Sequence, residues 1–167
     1  FVSAFNTAPL AADMEYVLRD EFADIQAGVN ALNKLTDGGV HMSFDGANYA
    51  GTPFHKLENI IPHTFTGKHP AGNVGVQIHH TSPIRKGETV WTVDPTAVLF
   101  FGRLFNTGKV DLRRMVAVAG SEIKSPAYVE ALVGTPLKEI IAGNVKSDRH
   151  VRLLNGNPLT GRIANDE

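Results

Sequence analysis

The sequence predicts an α/β fold, with a parallel-sheet domain followed by a small α+β module. An apolar, β-prone run over residues 1–5 leads into a helical pattern over residues 13–35, and a second β-prone run follows at residues 40–44. Strand, helix and strand in this order form a β-α-β unit, whose strands lie parallel with a right-handed crossover. Near residue 110 the pattern changes, so we predict a first domain over residues 1–109 and a second over residues 110–167.

The helical pattern predicts one long helix from residue 13 to residue 35. Asp13 is suited to cap its first N–H groups, and the turn Thr36-Asp37-Gly38-Gly39 is suited to end it. Its apolar residues recur every three or four positions, which places them on one face of the helix. They are Met14, Val17, Leu18, Phe22, Ile25, Val29, Leu32 and Leu35.

Four further elements complete the first domain. Residues 59–66 are predicted to form a strand at a sheet edge, because Pro62 cannot donate to a central ladder. Asp94 and Pro95 mark the start of a buried helix that ends near Gly108, since they provide an N-cap acid and a proline at the first helical position. A short helix over residues 71–80 and a strand over residues 88–93 are predicted between them.

The second domain has the order of elements that is typical of a β-grasp module, which is hairpin, helix and strand. Strands are predicted over residues 115–119, 128–133 and 150–154, and a short helix over residues 137–142. The turn signal Asn155-Gly156-Asn157-Pro158 follows the third strand.

The composition excludes several function classes. The 16 Lys and Arg residues nearly balance the 17 Asp and Glu residues and form no basic cluster, so nucleic acid is not an expected partner. The chain has no cysteine, which excludes a disulfide, a thiolate nucleophile and a cysteine-ligated iron–sulfur cluster. Apolar runs such as residues 97–101 fall far short of the roughly 20 residues of a membrane-spanning helix. Without an initiator Met or a signal-peptide pattern, the chain is expected to be an excised segment.

Several stretches along both predicted domains are distinctive. The clearest starts with His69-Pro70-Ala71-Gly72 and continues to His79, and Thr89-Val90-Trp91-Thr92-Val93 follows it. The others are residues 1–4, 6–11, 117–120, 124–126, 134–140 and 154–161. In this order they resemble the A subunits of the sodium-translocating NADH:quinone oxidoreductases. The resemblance covers nearly the whole chain.

The resemblance implies a Rossmann-like domain followed by a β-grasp module of the soluble-ligand-binding (SLBB) kind, a pair of modules also present in ferredoxin:NAD reductase and the flavoprotein subunit of complex I. Family members begin well before Phe1 and continue past Glu167, so a middle segment is implied, with a truncated β-grasp module as one outcome. The whole complex uses flavins, iron–sulfur centres, NADH and ubiquinone, and exports sodium. For this segment the resemblance implies no cofactor of its own and no independent catalysis.

The same resemblance implies where the segment works and with what. It would be a peripheral scaffold on the cytoplasmic side of the bacterial inner membrane, docked on other subunits of the complex and above all on an integral membrane subunit. Ubiquinone is a further candidate partner. The family has been linked to the quinone site, and we therefore name His69, Pro70, Gly72 and His79 as candidate quinone contacts.

These candidates have plainer explanations. Pro70 and Gly72 fix a rigid turn without any ligand, and we favour that interpretation of the tetrapeptide. A metal site formed by His63, His69, His79 and His80 is not favoured, because adjacent histidines on a helix point in different directions. Aromatic residues at strand and helix spacing are expected to belong to the core rather than to a quinone pocket. They are Trp91, Phe100, Phe101 and Phe105. Arg103, Arg113 and Arg114 are expected on the solvated surface.

Two other functions remain open at this point. A free-standing flavin- or nicotinamide-binding oxidoreductase would bind FMN, FAD or NADH, but the turn after the first strand, residues 6–12, lacks the glycines of a phosphate-binding loop and contains Pro9. A soluble small-ligand-binding module would carry a ligand-sized pocket with convergent polar groups in the second domain.

Overall fold

The structure, a computed structural model, describes residues 1–146 and 151–164. It divides into two compact units. The first comprises residues 1–7 and 13–111, and the second comprises residues 8–12 and the described residues from 112 onwards.

The first unit is built on a parallel sheet, which confirms the predicted α/β class. Strands β1 (Val2–Ser3), β2 (Val40–Asp45) and β3 (Ile60–Phe65) are hydrogen-bonded in the order β1-β2-β3. β3 lies at the edge, as its proline predicts. On the other side of β1, Val93 forms a parallel bridge with Val2. The order from edge to edge is therefore β3, β2, β1 and the segment ending at Val93.

The long helix predicted for residues 13–35 is wrong, since the structure has two helices there. They are α1 (Met14–Leu18) and α2 (Phe22–Leu32). Asp13 caps α1 as expected, accepting hydrogen bonds from the N–H groups of Glu15 and Tyr16 at 2.9 and 3.3 Å. The chain turns at Glu21, whose carboxylate is held 2.6 Å from Arg103. This long-range ion pair is not visible in the apolar periodicity of the sequence.

The chain between β2 and residue 94 is mostly turns and short helices. Two 3-10 helices, Tyr49–Gly51 and Pro53–Lys56, precede β3, and helix α3 (Val74–Thr81) follows it. The strand predicted over residues 88–93 is wrong except at its end, where Val93 alone forms a bridge and the carbonyl oxygen of Trp91 accepts a hydrogen bond from the amine of Phe1. Helix α4 (Pro95–Thr107) then starts at the N-cap Asp94 and ends at Gly108 with φ of 70°, as predicted.

Helices α2 and α4 lie unusually close together. A Cβ atom on Gly28 would be 2.1 Å from the carbonyl oxygen of Val98, and one on Gly102 would be 1.6 Å from that of Asp24. Only glycine therefore fits at either crossing position. The two helices bury Ile25, Val29, Val98 and Leu99.

Arg103 joins these helices and is not the surface residue predicted. Its side chain is only 13% exposed, and besides Glu21 it has Asp24 at 3.9 Å and Asp111 at 3.8 Å. Three carboxylates around one guanidinium make it a fixed structural link between α4, α2 and the chain that follows α4.

The described part of the second unit contains two antiparallel hairpins. Strand β4 (Arg113–Val118) pairs with β5 (Ala127–Leu132), helix α5 (Leu137–Ile140) follows, and β6 (Leu154–Asn155) pairs with β7 (Arg162–Ile163). Within the predicted strand over residues 150–154, His150 lies outside the described residues and only Leu154 is in a strand. The turn predicted at residues 155–158 follows β6, as expected.

Candidate functional site

The sheet of the first unit has a point at which the strand order reverses. β1 has β2 on one side and Val93 on the other, and the chain continues from Val93 directly into α4. In open α/β sheets, ligands bind in the crevice at the carboxyl ends of the strands at such a point. Asn6 and Thr7, which follow β1, therefore mark the position where a ligand would be expected.

This position is occupied by the turn that contains His69, Pro70, Ala71 and Gly72. The N–H of Gly72 donates a 2.9 Å hydrogen bond to the hydroxyl oxygen of Thr7. The same oxygen lies 3.4 Å from Nδ1 of His69. Since it accepts from Gly72, its own proton is available to His69. The peptide bond between His69 and Pro70 is cis.

Gly72 lies against the backbone after β1 with no space for a side chain. A Cβ atom there would be 2.3 Å from the backbone nitrogen of Thr7 and 2.8 Å from Cα of Asn6. In a dinucleotide-binding fold, a glycine-rich turn leaves the N–H groups at this place open to a phosphate. Here another part of the chain lies directly on them.

Three of the four candidate quinone contacts belong to this turn, and the fourth does not. Gln77, which is buried in α3, donates from Nε2 to the carbonyl oxygen of Ala71 at 3.1 Å, so this side of α3 faces the turn. His79 is two residues further along, about 200° around the helix. It is exposed, with its ring edge-on to that of His80.

Thr7 and Gln77 were missed as parts of this site. Thr7 follows the first predicted strand, and the rule that ligands bind at carboxyl ends of strands would have drawn attention to it. Gln77 stands between apolar neighbours in a predicted helix, and its burial depends on the tertiary fold.

A second cluster lies on one face of the sheet. Nδ1 of His41 and Nε2 of His63 are 2.9 Å apart, so His63 pairs with His41 rather than with the three histidines considered above. Burial and the neighbouring His63 lower the pKa of His41, and burial lowers the pKa of His63. Because an unperturbed histidine has a pKa near 6.5, both imidazoles are mainly neutral at pH 7. Within residues 1–146 and 151–164, no three His, Asp or Glu side chains gather as a metal site.

The prediction that the aromatic residues belong to the core is wrong for most of them. Trp91 is 79% exposed, and Phe101 and Phe105 of α4 are 40% and 68% exposed. The buried side of α4 is the one that meets α2 through Val98 and Gly102. A thirteen-residue amphipathic pattern fixes which residues share a face, but the tertiary fold decides which faces are covered.

The second unit has an open groove of about 490 Å³. That volume lies within the range of small-molecule pockets. Small-molecule pockets enclose most of their ligand, however, whereas this groove is open. It is lined by Arg113, Val129, Glu130, Ala131, Leu132, Thr135, Glu139 and Ile140. Arg113 and Glu130 face each other across the hairpin at 3.8 Å, where they are largely exposed.

Among the described residues, no helix has both the length and the apolar character needed to cross a bilayer.

Comparison with known proteins finds a matching family model for each of the two predicted domains. A family model described as the NqrA second alpha/beta domain matches residues 1–110, and one described as the NQRA C-terminal domain, of the SLBB type, matches residues 115–166. These matches confirm the prediction of an α/β domain followed by an SLBB module.

Several relatives that align with nearly the whole chain share the name of the A subunit of the Na(+)-translocating NADH-quinone reductase. Those from Rhodopirellula baltica, Saccharophagus degradans and Neisseria meningitidis serogroup C are each 37% identical over 97–98% of this chain. The chain spans 36% of the length of each of these relatives. Because the first family model alone covers well over half of the chain, this protein belongs to the NqrA family, in which it matches the second α/β domain and the C-terminal domain.

Proposed function

We propose that this chain is a scaffold and docking segment of the A subunit in a sodium-translocating NADH:quinone reductase. It would work as a peripheral component on the cytoplasmic side of the bacterial inner membrane, in contact with other subunits and above all with an integral membrane subunit. Support comes from the name of its relatives, which describes one subunit of a translocating reductase. We also propose that the boundary between its two domains along the chain lies between residues 109 and 110.

The observation that carries the docking role is the outer side of α4. Phe101, Leu104 and Phe105 are spaced three and four residues apart and so share one side of the helix. They are 40%, 38% and 68% exposed within this chain. Large apolar side chains grouped on one surface are typical of a protein–protein contact, and aromatic residues often dominate the binding energy there.

Substitution of Phe105 by Glu tests this role in the assembled complex. We expect the variant to co-purify with the other subunits at least about tenfold less well, because a buried charge costs more than the roughly 1.4 kcal/mol that a factor of ten represents. The measurement is the yield of the remaining subunits on a tag attached to this one.

Leu35→Glu is the matched control, because Leu35 is 81% exposed and lies outside the surface formed by α4. It should leave co-purification unchanged, and circular dichroism should show that both variants are folded. Equal loss in the two variants, or no loss in Phe105→Glu, would contradict docking through α4.

We also propose that the segment holds no flavin or nicotinamide of its own. The contact of Gly72 with the backbone of Asn6 and Thr7 supports this, because it covers the N–H groups that a phosphate would need. Electron transfer in the proposed complex would then use centres outside this segment, which is consistent with the absence of cysteine here.

Quinone contact at the turn from His69 to Gly72 is a further part of the proposal. Its support is local: the His69 side chain is half-buried, Pro70 is exposed, and both lie at the carboxyl end of β1. A photoreactive quinone added to the intact complex is expected to label the peptide containing His69 and not the one containing His150. Labelling confined to other parts of the complex would contradict quinone contact at this turn and would not affect the proposal of a docking role.

A further inference from the structure

The turn from His69 to Gly72 is held from two sides. The N–H of Gly72 donates to the hydroxyl oxygen of Thr7 at 2.9 Å, and Nε2 of Gln77 donates to the carbonyl oxygen of Ala71 at 3.1 Å. Gln77 is 1% exposed, so the core around it restricts its movement. Because Ala71 and Gly72 are both anchored, the backbone that carries His69 is positioned before any ligand binds.

The hydroxyl of Thr7 decides which ring nitrogen of His69 carries the proton. Among the described residues, its oxygen has two hydrogen-bond partners, the N–H of Gly72 and Nδ1 of His69, the latter at 3.4 Å. The N–H of Gly72 can only donate, so the hydroxyl proton has Nδ1 as its acceptor. A ring nitrogen that accepts a hydrogen bond carries no proton, and the proton of a neutral imidazole is then on the other nitrogen. Neutral His69 is therefore the Nε2–H tautomer.

Nε2 of His69 is thus a donor that is available to a ligand. Within residues 1–146 and 151–164 it has no hydrogen-bond partner, and the side chain is partly exposed. We propose that Thr7 holds His69 as an Nε2–H donor and thereby makes this turn selective for the carbonyl oxygen of an oxidised quinone over the hydroxyl group of the quinol. This selectivity rests on the quinone contact proposed for the same turn.

The two redox forms of a quinone differ in the hydrogen bonds that they can make. A quinone carbonyl oxygen only accepts, so it matches a nitrogen that only donates. A quinol hydroxyl also needs an acceptor for its own proton, as a phenol does. In this tautomer His69 offers none, because Nδ1 is already bonded to Thr7. A polar group that loses its partner on binding weakens the complex, and we expect the oxidised form to bind about tenfold better.

¹⁵N NMR of the imidazole rings tests the tautomer in the protein without any ligand. At about pH 8, where an ordinary imidazole is neutral, Nδ1 of His69 should resonate as an unprotonated nitrogen and Nε2 as a protonated one. Thr7→Val removes the hydroxyl and should give a mixture of both tautomers, whereas Thr7→Ser keeps the hydroxyl and should match the parent. A His69 ring that carries its proton on Nδ1 in the parent would overturn the proposal without affecting quinone contact. So would a tautomer that Thr7→Val leaves unchanged.

Competition against the photoreactive quinone in the intact complex tests the selectivity. A short-chain ubiquinone should protect the peptide containing His69 at about a tenth of the concentration that its quinol needs under anaerobic conditions. Thr7→Val should reduce this preference and Thr7→Ser should keep it. His69→Gln should protect nearly equally with both forms, because its amide offers a donor and an acceptor.

The outcomes separate this selectivity from the quinone contact itself. Equal protection by quinone and quinol in the parent, or a preference that His69→Gln leaves intact, would contradict selection by His69 while the labelled peptide still shows contact. A parent complex in which the peptide containing His69 is never labelled would contradict the contact, and the selectivity with it. Protection by the oxidised form at the lower concentration, lost in His69→Gln, supports both.

Discussion

Gly102→Ala is expected to destabilise the first unit by at least about 2 kcal/mol. The new Cβ atom would be 1.6 Å from the carbonyl oxygen of Asp24, a backbone atom that moves only if α2 and α4 separate. Overpacking of this kind costs about 1–3 kcal/mol and more where the neighbour cannot shift. Alanine has a higher helix propensity than glycine by only about 1 kcal/mol, which is too small to compensate.

Urea unfolding followed by circular dichroism measures the loss, and hydrogen exchange of amides in α2 and α4 locates it. Gly75→Ala is the control, because Gly75 lies in α3 and a Cβ atom there would have nothing within 4 Å. It should be neutral or stabilise by up to about 1 kcal/mol. A Gly102→Ala protein as stable as the parent would show that the helices do not cross as closely as described.

Gly72→Ala is expected to release the turn at the end of β1. The Cβ atom would be 2.3 Å from the backbone nitrogen of Thr7, and the hydrogen bond from Gly72 to the Thr7 hydroxyl would break as the turn moves away. The lost packing and the lost bond together should cost about 2–4 kcal/mol. Thr7→Val removes only the hydroxyl and should cost about 1–2 kcal/mol, because it leaves the N–H of Gly72 without its partner.

The control for this pair is Gly51→Ala, where a Cβ atom would have open space. Its free energy of unfolding should stay within about 0.5 kcal/mol of the parent, as for most surface substitutions. If Gly72→Ala behaved like Gly51→Ala, the turn would not be held against Asn6 and Thr7, and the N–H groups there would be open to a phosphate after all. Thr7→Val separates the two contributions, since it keeps the space and removes the hydrogen bond.

Local signals in the sequence located most elements of the first unit. The caps Asp13 and Asp94 act as N-caps where predicted, and Gly108 ends α4. Cap residues work through hydrogen bonds and backbone angles within a few positions, so their effect is readable without the fold. Pro62 likewise indicated an edge strand for a local reason, the missing N–H.

Long-range contacts explain where the predictions were wrong. The periodicity from residue 13 to residue 35 predicted one helix, but the ion pair between Glu21 and Arg103 holds the turn that divides it. The residues from 88 to 93 have strand composition, yet only Val93 forms a bridge with β1, and Trp91 merely accepts a hydrogen bond from the amine of Phe1. In both cases the partner lies far away in the sequence, so propensity within a short window carries no information about it.

The sequence by itself determined the α/β class, the order of the two modules, the caps and the family, because these depend on local chemistry and on motifs in a fixed order. Only the tertiary structure decided that Gly72 closes the position after β1, that His79 faces away from the turn, that His41 meets His63, and that the aromatic side of α4 is exposed. The contacts among these join residues that are far apart in the sequence, and the exposed surfaces are those that no distant part of the chain covers. Chain folding, and not residue type, sets those distances.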